Sequence, residues 1–362
     1  MLSSRLYRAI APFALVASLA VVAAGCGSDD DSSDTGTAAA TAAAETDTGA
    51  STTEAPPEGE AIKVGLVTDI GGLNDRSFNQ LANEGLERAE SELGVEGRVL
   101  TSKSDADYVP NLTSLCQQKY NLIIGVGFLM AEAVEKVANK CPDSSFAIID
   151  SSQEGTESKP GNLEGLLFKE QEAGYLAGII AGNYAKDNGI KAVSSVGGQK
   201  IPPVDRYIAG FQAGVQSVDP NIKTLNGYSQ DFVDQSKCKE LALNQINQGS
   251  GVVFQVAGQC GLGALDAAKE QGAQGIGVDA DQAYLGDFII TSALKKVDVA
   301  VFDTVKAVQD GSFAAGDTVF DLKVDGVGVG ETNANGSKYT AQVDEAKQGI
   351  VDGSITVPDA VK

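Results

Sequence analysis

The sequence predicts an α/β fold made of two similar lobes, each a parallel sheet covered by helices. Two observations carry that reading. Short, continuous apolar runs alternate with segments of helical periodicity, the pattern of parallel strands buried on both faces. The alternation then restarts near residue 170 and runs a second time at about the same length. In open sheets of this kind the functional cleft lies outside the C-terminal strand ends, so two facing lobes would share one cleft.

Residues 62–68 form the first strand, and the loop after it holds Gly71 and Gly72. Phe78, Leu81, Ala82, Gly85, Leu86, Ala89 and Leu93 then recur at helical spacing. Ser77 with Gln80 predicts a capping box at the start of that helix. Further strands are predicted at 98–102, 122–126 and 146–150, with helices around 109–120 and over 131–139. The second half opens with an Ala- and Gly-rich helix over 172–186. Strands follow at 191–196, 223–228, 251–256, 275–278 and 289–292, with helices at 206–218, 236–248, 262–271 and 295–309.

Composition excludes several chemistries. The 362 residues include no histidine, which removes imidazole triads, HExxH metal sites and histidine-based pH sensing. A formal net charge of −22 disfavours nucleic acid and anionic lipid surfaces as partners. Neither GxGxxG nor GxxxxGK[ST] is present, and Asp279–Asp281 lacks the downstream glycine and glutamate of a calcium loop. No metal and no cofactor is expected.

The first 60 residues read as targeting rather than fold. Arg5 and Arg8 precede an uncharged, mostly apolar run of 17 residues, Ala9–Gly25. Ala23-Ala24-Gly25-Cys26 looks like a bacterial lipobox, which would make residues 1–26 a lipoprotein signal and Cys26 the acylated mature N-terminus. Residues 27–60 hold nine acids, no base and a Pro56-Pro57 end. Such a segment cannot bury enough apolar surface to offset its ordering entropy and should act as a flexible tether. Four cysteines remain, an even number that favours disulfides in an exported chain. Three connectivities are open; Cys116–Cys141 with Cys238–Cys260 keeps each bridge inside one half. A zinc site would need a CxxC pair, and there is none.

Three carboxylates fall at strand ends: Asp69, Asp150 and Asp279. One such aspartate often only caps a helix or closes a turn, but three at the same structural position point to a shared site. A carboxylate accepts two hydrogen bonds and can hold neighbouring hydroxyls of a sugar. Lys295, just past the strand 289–292, could balance such a charge, although a lysine at a helix start commonly faces solvent. Phe78 and Phe232 lie outside the apolar runs and could sandwich a flat heterocycle, and Gly258 sits in a loop that exposes backbone amides.

The run Val67-Thr68-Asp69-Ile70-Gly71-Gly72-Leu73-Asn74-Asp75-Arg76-Ser77-Phe78-Asn79-Gln80 resembles the opening motif of the basic membrane protein family, substrate-binding lipoproteins of ABC transporters that include purine nucleoside receptors. Further matches are Glu172-Ala173-Gly174-Tyr175-Leu176-Ala177-Gly178, Ala209-Gly210-Phe211-Gln212-Ala213-Gly214, Phe254-Gln255-Val256-Ala257-Gly258, Gly277-Val278-Asp279-Ala280-Asp281-Gln282 and Thr291-Ser292-Ala293-Leu294-Lys295. They cover about residues 62–330 in order. The resemblance implies a type I periplasmic binding protein with a hinge between lobes, the first of residues 61–168 plus about 293–318, the second of 169–292 plus about 319–362. It implies Asp69, Asn79 and Asp150 around a base, Phe78 and Phe232 as a stacking pair, Asp279 and Lys295 on the ribose hydroxyls, and Gly258 offering backbone. Gln259-Cys260 departs from the small residues usual after that glycine, and Ala293 from a methionine common before Leu-Lys.

The function implied is a lipid-anchored, extracytoplasmic receptor that captures a purine nucleoside by hinge closure and hands it to an ABC permease with its ATPase. A monomer without enzymatic activity is expected. A receptor for a free pentose or furanose-type signal is the alternative binder. A nucleoside hydrolase working through paired carboxylates is the alternative enzyme.

Overall fold

A computed structural model describes residues 61–361. The leader and tether expected over 1–26 and 27–60, with Cys26, lie outside the described residues.

The first series is β1 (Lys63–Val67), α1 (Phe78–Leu93), β2 (Glu96–Leu100), α2 (Tyr108–Gln117), β3 (Leu122–Gly125), α3 (Ala131–Ala138), β4 (Ser145–Ile149) and β5 (Leu163–Phe168). The second is α4 (Glu170–Asp187), β6 (Ala192–Gly197), α5 (Pro202–Val218), β7 (Lys223–Tyr228), α6 (Gln235–Asn247), β8 (Ser250–Val256), α7 (Gly258–Gln271), β9 (Gln274–Asp279) and β10 (Ile289–Lys295). The chain closes with α8 (Val297–Gln309), β11 (Gly316–Phe320), β12 (Val327–Val329) and α9 (Thr340–Val351).

Two six-stranded sheets result, ordered β11-β5-β4-β3-β1-β2 and β12-β10-β9-β8-β6-β7. Every pairing is parallel except that of β12 with β10. Position for position, β1 to β5 of one sheet correspond to β6 to β10 of the other. The chain crosses between sheets three times: after Phe168, after Lys295 and after Phe320. The expected crossing near residue 293 falls slightly later. The strand read as ending at Ser292 continues, because Ala293–Lys295 pair with β12 and Leu294 still pairs with Asp279 of β9.

Strand alternation explains the two-sided burial. On β1, Val64 and Leu66 join the core under α1 and α8, while Val67 joins the core under α2 and α3. On β8, Val252 and Phe254 face α4 and α5, and Val253 faces α6 and α7. The bridges are Cys116–Cys141 and Cys238–Cys260, one in each half.

Some elements escape the sequence pattern. β11 is an exposed edge strand, and β12 is three residues with a central glycine, so neither shows an apolar run. β5 and α9 were not anticipated either. α5 starts at Pro202 rather than 206 because two prolines fit the first helical turn, whose N–H groups have no intrahelical partner. α7 starts at Gly258 rather than 262, so the expected glycine loop is the first turn of a helix.

Helices α4 and α5 approach backbone to backbone. A Cβ on Gly178 would stand 2.3 Å from the Phe211 carbonyl oxygen, and one on Gly214 would stand 2.2 Å from that of Tyr175. Gly178→Ala should therefore destabilise the fold by about 1–3 kcal/mol through overpacking, read as a lower midpoint in urea with an unchanged m-value. An unchanged midpoint would contradict this packing.

Candidate functional site

A cavity between the lobes is lined by all eight residues singled out in the sequence: Asp69, Phe78, Asn79, Asp150, Phe232, Gly258, Asp279 and Lys295. Its origin is topological. Asp69 follows β1, Asp150 follows β4, and Asp279 and Lys295 are the last residues of β9 and β10. Asp150 (φ 71°) and Asp279 (φ 61°) stand at corresponding strand ends and share a left-handed backbone that aspartate tolerates better than most residues.

The floor is built on one buried ammonium. Lys295 Nζ donates to Asp150 Oδ2 at 2.7 Å and to Glu170 Oε1 at 3.1 Å. It also lies 4.9 Å from the Phe78 ring centroid and 5.0 Å from that of Phe168. Its side chain is 2% exposed, so the solvent-facing alternative does not apply. Burial pulls the ammonium's pKa down, but Asp150, Glu170 and Asp279 together carry it above the ordinary lysine range. Burial pushes both Asp150 and Asp279 up, with the Lys295 charge opposing. Glu170, fully buried at the first residue of α4, accepts a second cation, Arg206 Nη1, at 3.3 Å. Tyr207 Oη donates to Asp279 Oδ1 at 3.2 Å.

The lobes also touch across the cleft. Ser77 Oγ, in the first lobe, lies 2.8 Å from Asp279 Oδ2 and 3.0 Å from the Val278 carbonyl oxygen. Gln282 Nε2 donates to the Arg76 carbonyl at 3.1 Å. Ser77 therefore makes no capping box. Asp75 caps α1 instead, accepting from the N–H groups of Ser77, Asn79 and Gln80 at 3.1, 2.8 and 3.2 Å. The serine hydroxyl is freed for the other lobe.

Asp69 is held from three sides. Its N–H donates to Asn79 Oδ1 at 2.8 Å, and its Oδ1 accepts from Ile70 N–H at 2.7 Å and from the Tyr108 hydroxyl. Oδ2 accepts no hydrogen bond from the described residues and lies beside Gly127, where a Cβ would stand 2.6 Å away. Burial pushes the Asp69 pKa up to about 6, against the Tyr108 and Ile70 hydrogen bonds. Asn79 spends its oxygen on Asp69 and one amide hydrogen on Asp75, at 2.9 Å.

Sequence reading missed Asp75, Tyr108, Glu170, Arg206, Tyr207 and Gly127. Gly127 was findable, because it follows β3 as Asp69 follows β1. Glu170 opens a helix immediately after a strand, a place where an acid passes for an ordinary first-turn residue. Tyr108 and Arg206 carry no local signal.

Comparison with known proteins finds a family match over nearly all the described residues. Residues 62–360 match the family described as ABC transporter substrate-binding protein, PnrA-like. The ABC transporter nucleoside-binding protein BmpA of Lactococcus lactis subsp. cremoris is 34% identical over 374 residues, covering 97% of this chain and 99% of the relative. An uncharacterised lipoprotein of Pyrococcus horikoshii is 37% identical over 292 residues, covering 77% of this chain and 71% of the relative. The crystal structure of an ABC transporter solute-binding protein from Aeropyrum pernix K1 superposes with a TM-score of 0.75 at 32% identity, covering 83% of this chain and 94% of that one.

The Asp69 environment has a thermodynamic consequence. Its folded-state pKa, about 6, exceeds the ordinary 3.8, so its contribution to stability is full below the lower value and is lost as pH rises through the upper. Asp69→Asn keeps the acceptor for Tyr108 and Ile70 and removes the buried charge. The ligand-free variant should melt on the order of 2–4 °C above the parent at pH 7.5, with the gap closing between pH 6 and 4. A gap independent of pH would refute a buried charge at Asp69.

Proposed function

We propose, for a chain that belongs to the PnrA-like family of ABC transporter substrate-binding proteins, that it is an extracytoplasmic receptor capturing a purine nucleoside between its lobes. The observation that carries this reading is the joint lining of one cavity by a phenyl ring from each lobe, Phe78 and Phe232, over a polar floor of Lys295, Asp150 and Asp279. A flat base takes the space between apolar rings, and a vicinal diol supplies the donors and acceptors that buried carboxylates and an ammonium require. The nucleoside-binding relative that spans nearly the whole chain supports the same ligand class.

In this reading Asp69 Oδ2 faces the base edge, with Asn79 orienting Asp69 and adding its second amide hydrogen. Asp150 serves the floor through Lys295 as well as the base. Gly258 brings backbone close to the ribose end, where Gln259 also lines the cavity. Mechanism is a shift in population. A ligand that touches both lobes favours the closed arrangement by its differential affinity for it. The contacts of Ser77 with Asp279 and of Gln282 with Arg76 close the cleft beside the ligand. Cys26 would carry the lipid anchor and residues 27–60 the reach to an ABC permease and its ATPase. The receptor acts as a monomer and performs no chemistry on its ligand.

Titration calorimetry with adenosine, guanosine, inosine and ribose tests the claim. At least one nucleoside should bind far more tightly than ribose. Phe232→Ala should weaken it by about 1–3 kcal/mol, the value of one base–aromatic stack. Binding of ribose alone would replace the nucleoside with a free pentose. Release of hypoxanthine from inosine would make the protein a hydrolase.

A further inference from the structure

The two disulfides occupy opposite ends of their sheets. In a parallel sheet, each helix begins at the C-terminal strand edge and ends at the other. Cys116 lies in the last turn of α2, and Cys141 lies beyond the end of α3, so their bridge is on the edge away from the cleft. Cys238 lies in the first turn of α6 and Cys260 in the first turn of α7, so theirs is on the cleft edge. Both of these cysteines are fully buried.

That second bridge stands beside three residues that line the cavity, Phe232, Gly258 and Gln259. Phe232 sits in the loop 229–234 between β7 and α6, without regular structure of its own. Its carbonyl oxygen accepts from the Cys260 N–H at 3.0 Å. Its ring packs over Gly198, where a Cβ would stand 2.3 Å from the ring edge. Gly258 and Gln259, also lining the cavity, directly precede Cys260 in the same helical turn. The helix starts meet as closely: a Cβ on Gly263 of α7 would stand 1.9 Å from the Gln235 carbonyl oxygen of α6.

We propose that Cys238 and Cys260 are positioning residues of the binding site: their bridge locks the starts of α6 and α7 together and thereby fixes the Phe232 ring and the Gly258–Gln259 turn. Cys116–Cys141 stabilises the first lobe without touching recognition. The ligand part of this claim rests on the nucleoside reading, whereas the positioning part does not.

The test compares the full chain with Cys238→Ala/Cys260→Ala and with Cys116→Ala/Cys141→Ala. Each variant loses the stability that a bridge of this loop length supplies, so melting temperature does not separate them. Hydrogen exchange does. In ligand-free protein, the amides of positions 229–234 and 260 should exchange about tenfold faster or more in the first variant, through local opening, and within about twofold of the parent in the second. Nucleoside affinity should follow the same split. Phe232→Ala should cost less in the first variant than in the parent, because coupled residues are non-additive. Equal exchange in the two variants overturns the proposal, as does undiminished affinity alongside accelerated exchange. Failure of the parent to bind any nucleoside sinks the ligand reading alone, and the exchange data still decide the positioning role.

Discussion

The buried ammonium of Lys295 is the constraint on which the arrangement of the lobes depends. Taking such an ion out of water costs several kcal/mol unless opposite charge surrounds it. The chain meets that requirement with groups from different places: Asp150 from the end of β4, Glu170 from the first crossing, and the faces of Phe78 and Phe168. Lys295 itself is the last residue before the second crossing. Phe168 in turn stacks on Phe320 of the third, with ring centroids 5.0 Å apart. All three inter-lobe connections are thus tied to one charge, and the cavity floor is the place where the lobes are joined.

That floor carries more acid than base. Asp150, Glu170 and Asp279 surround one ammonium, and Arg206 compensates Glu170 from outside the cavity. Burial raises the Asp150 and Asp279 pKa values, against the Lys295 charge and, at Asp279, the hydrogen bonds from Ser77 and Tyr207.

The sequence carried the repeated strand–helix order and the strand-end acids because both are local. Apolar runs mark parallel strands wherever they are buried on both sides, and Asp69, Asp150 and Asp279 end such runs. It did not carry the partners. Glu170 looks like a first-turn acid until Lys295 and Arg206 are placed beside it. Tyr108 is one aromatic of an amphipathic helix until its hydroxyl meets Asp69. Ser77 and Gln80 satisfy the spacing of a capping box, yet Asp75 takes the amides and the serine crosses the cleft. Short edge strands such as β12 are set by the neighbour they pair with rather than by their own residues.

The correspondence of the two sheets shows where the two sides of the cavity differ. Asp150 and Asp279 are equivalent by position and backbone, and each lines the shared cavity from its own side. The last residues of β5 and β10, also equivalent, are Phe168 and Lys295, and they meet: the ammonium lies 5.0 Å from the ring. The repeated frame thus brings this equivalent pair together, and two phenylalanines or two lysines there would give a dry or a mutually repelling floor. One of each gives a cation desolvated by a ring and neutralised by carboxylates. The same logic holds at the turns after β1 and β6. One offers the Asp69 carboxylate, and the other offers Gly198, whose missing side chain admits the Phe232 ring. The cavity presents apolar rings on one side and charged groups on another because of those differences between halves, whereas an exact repeat would present the same chemistry twice.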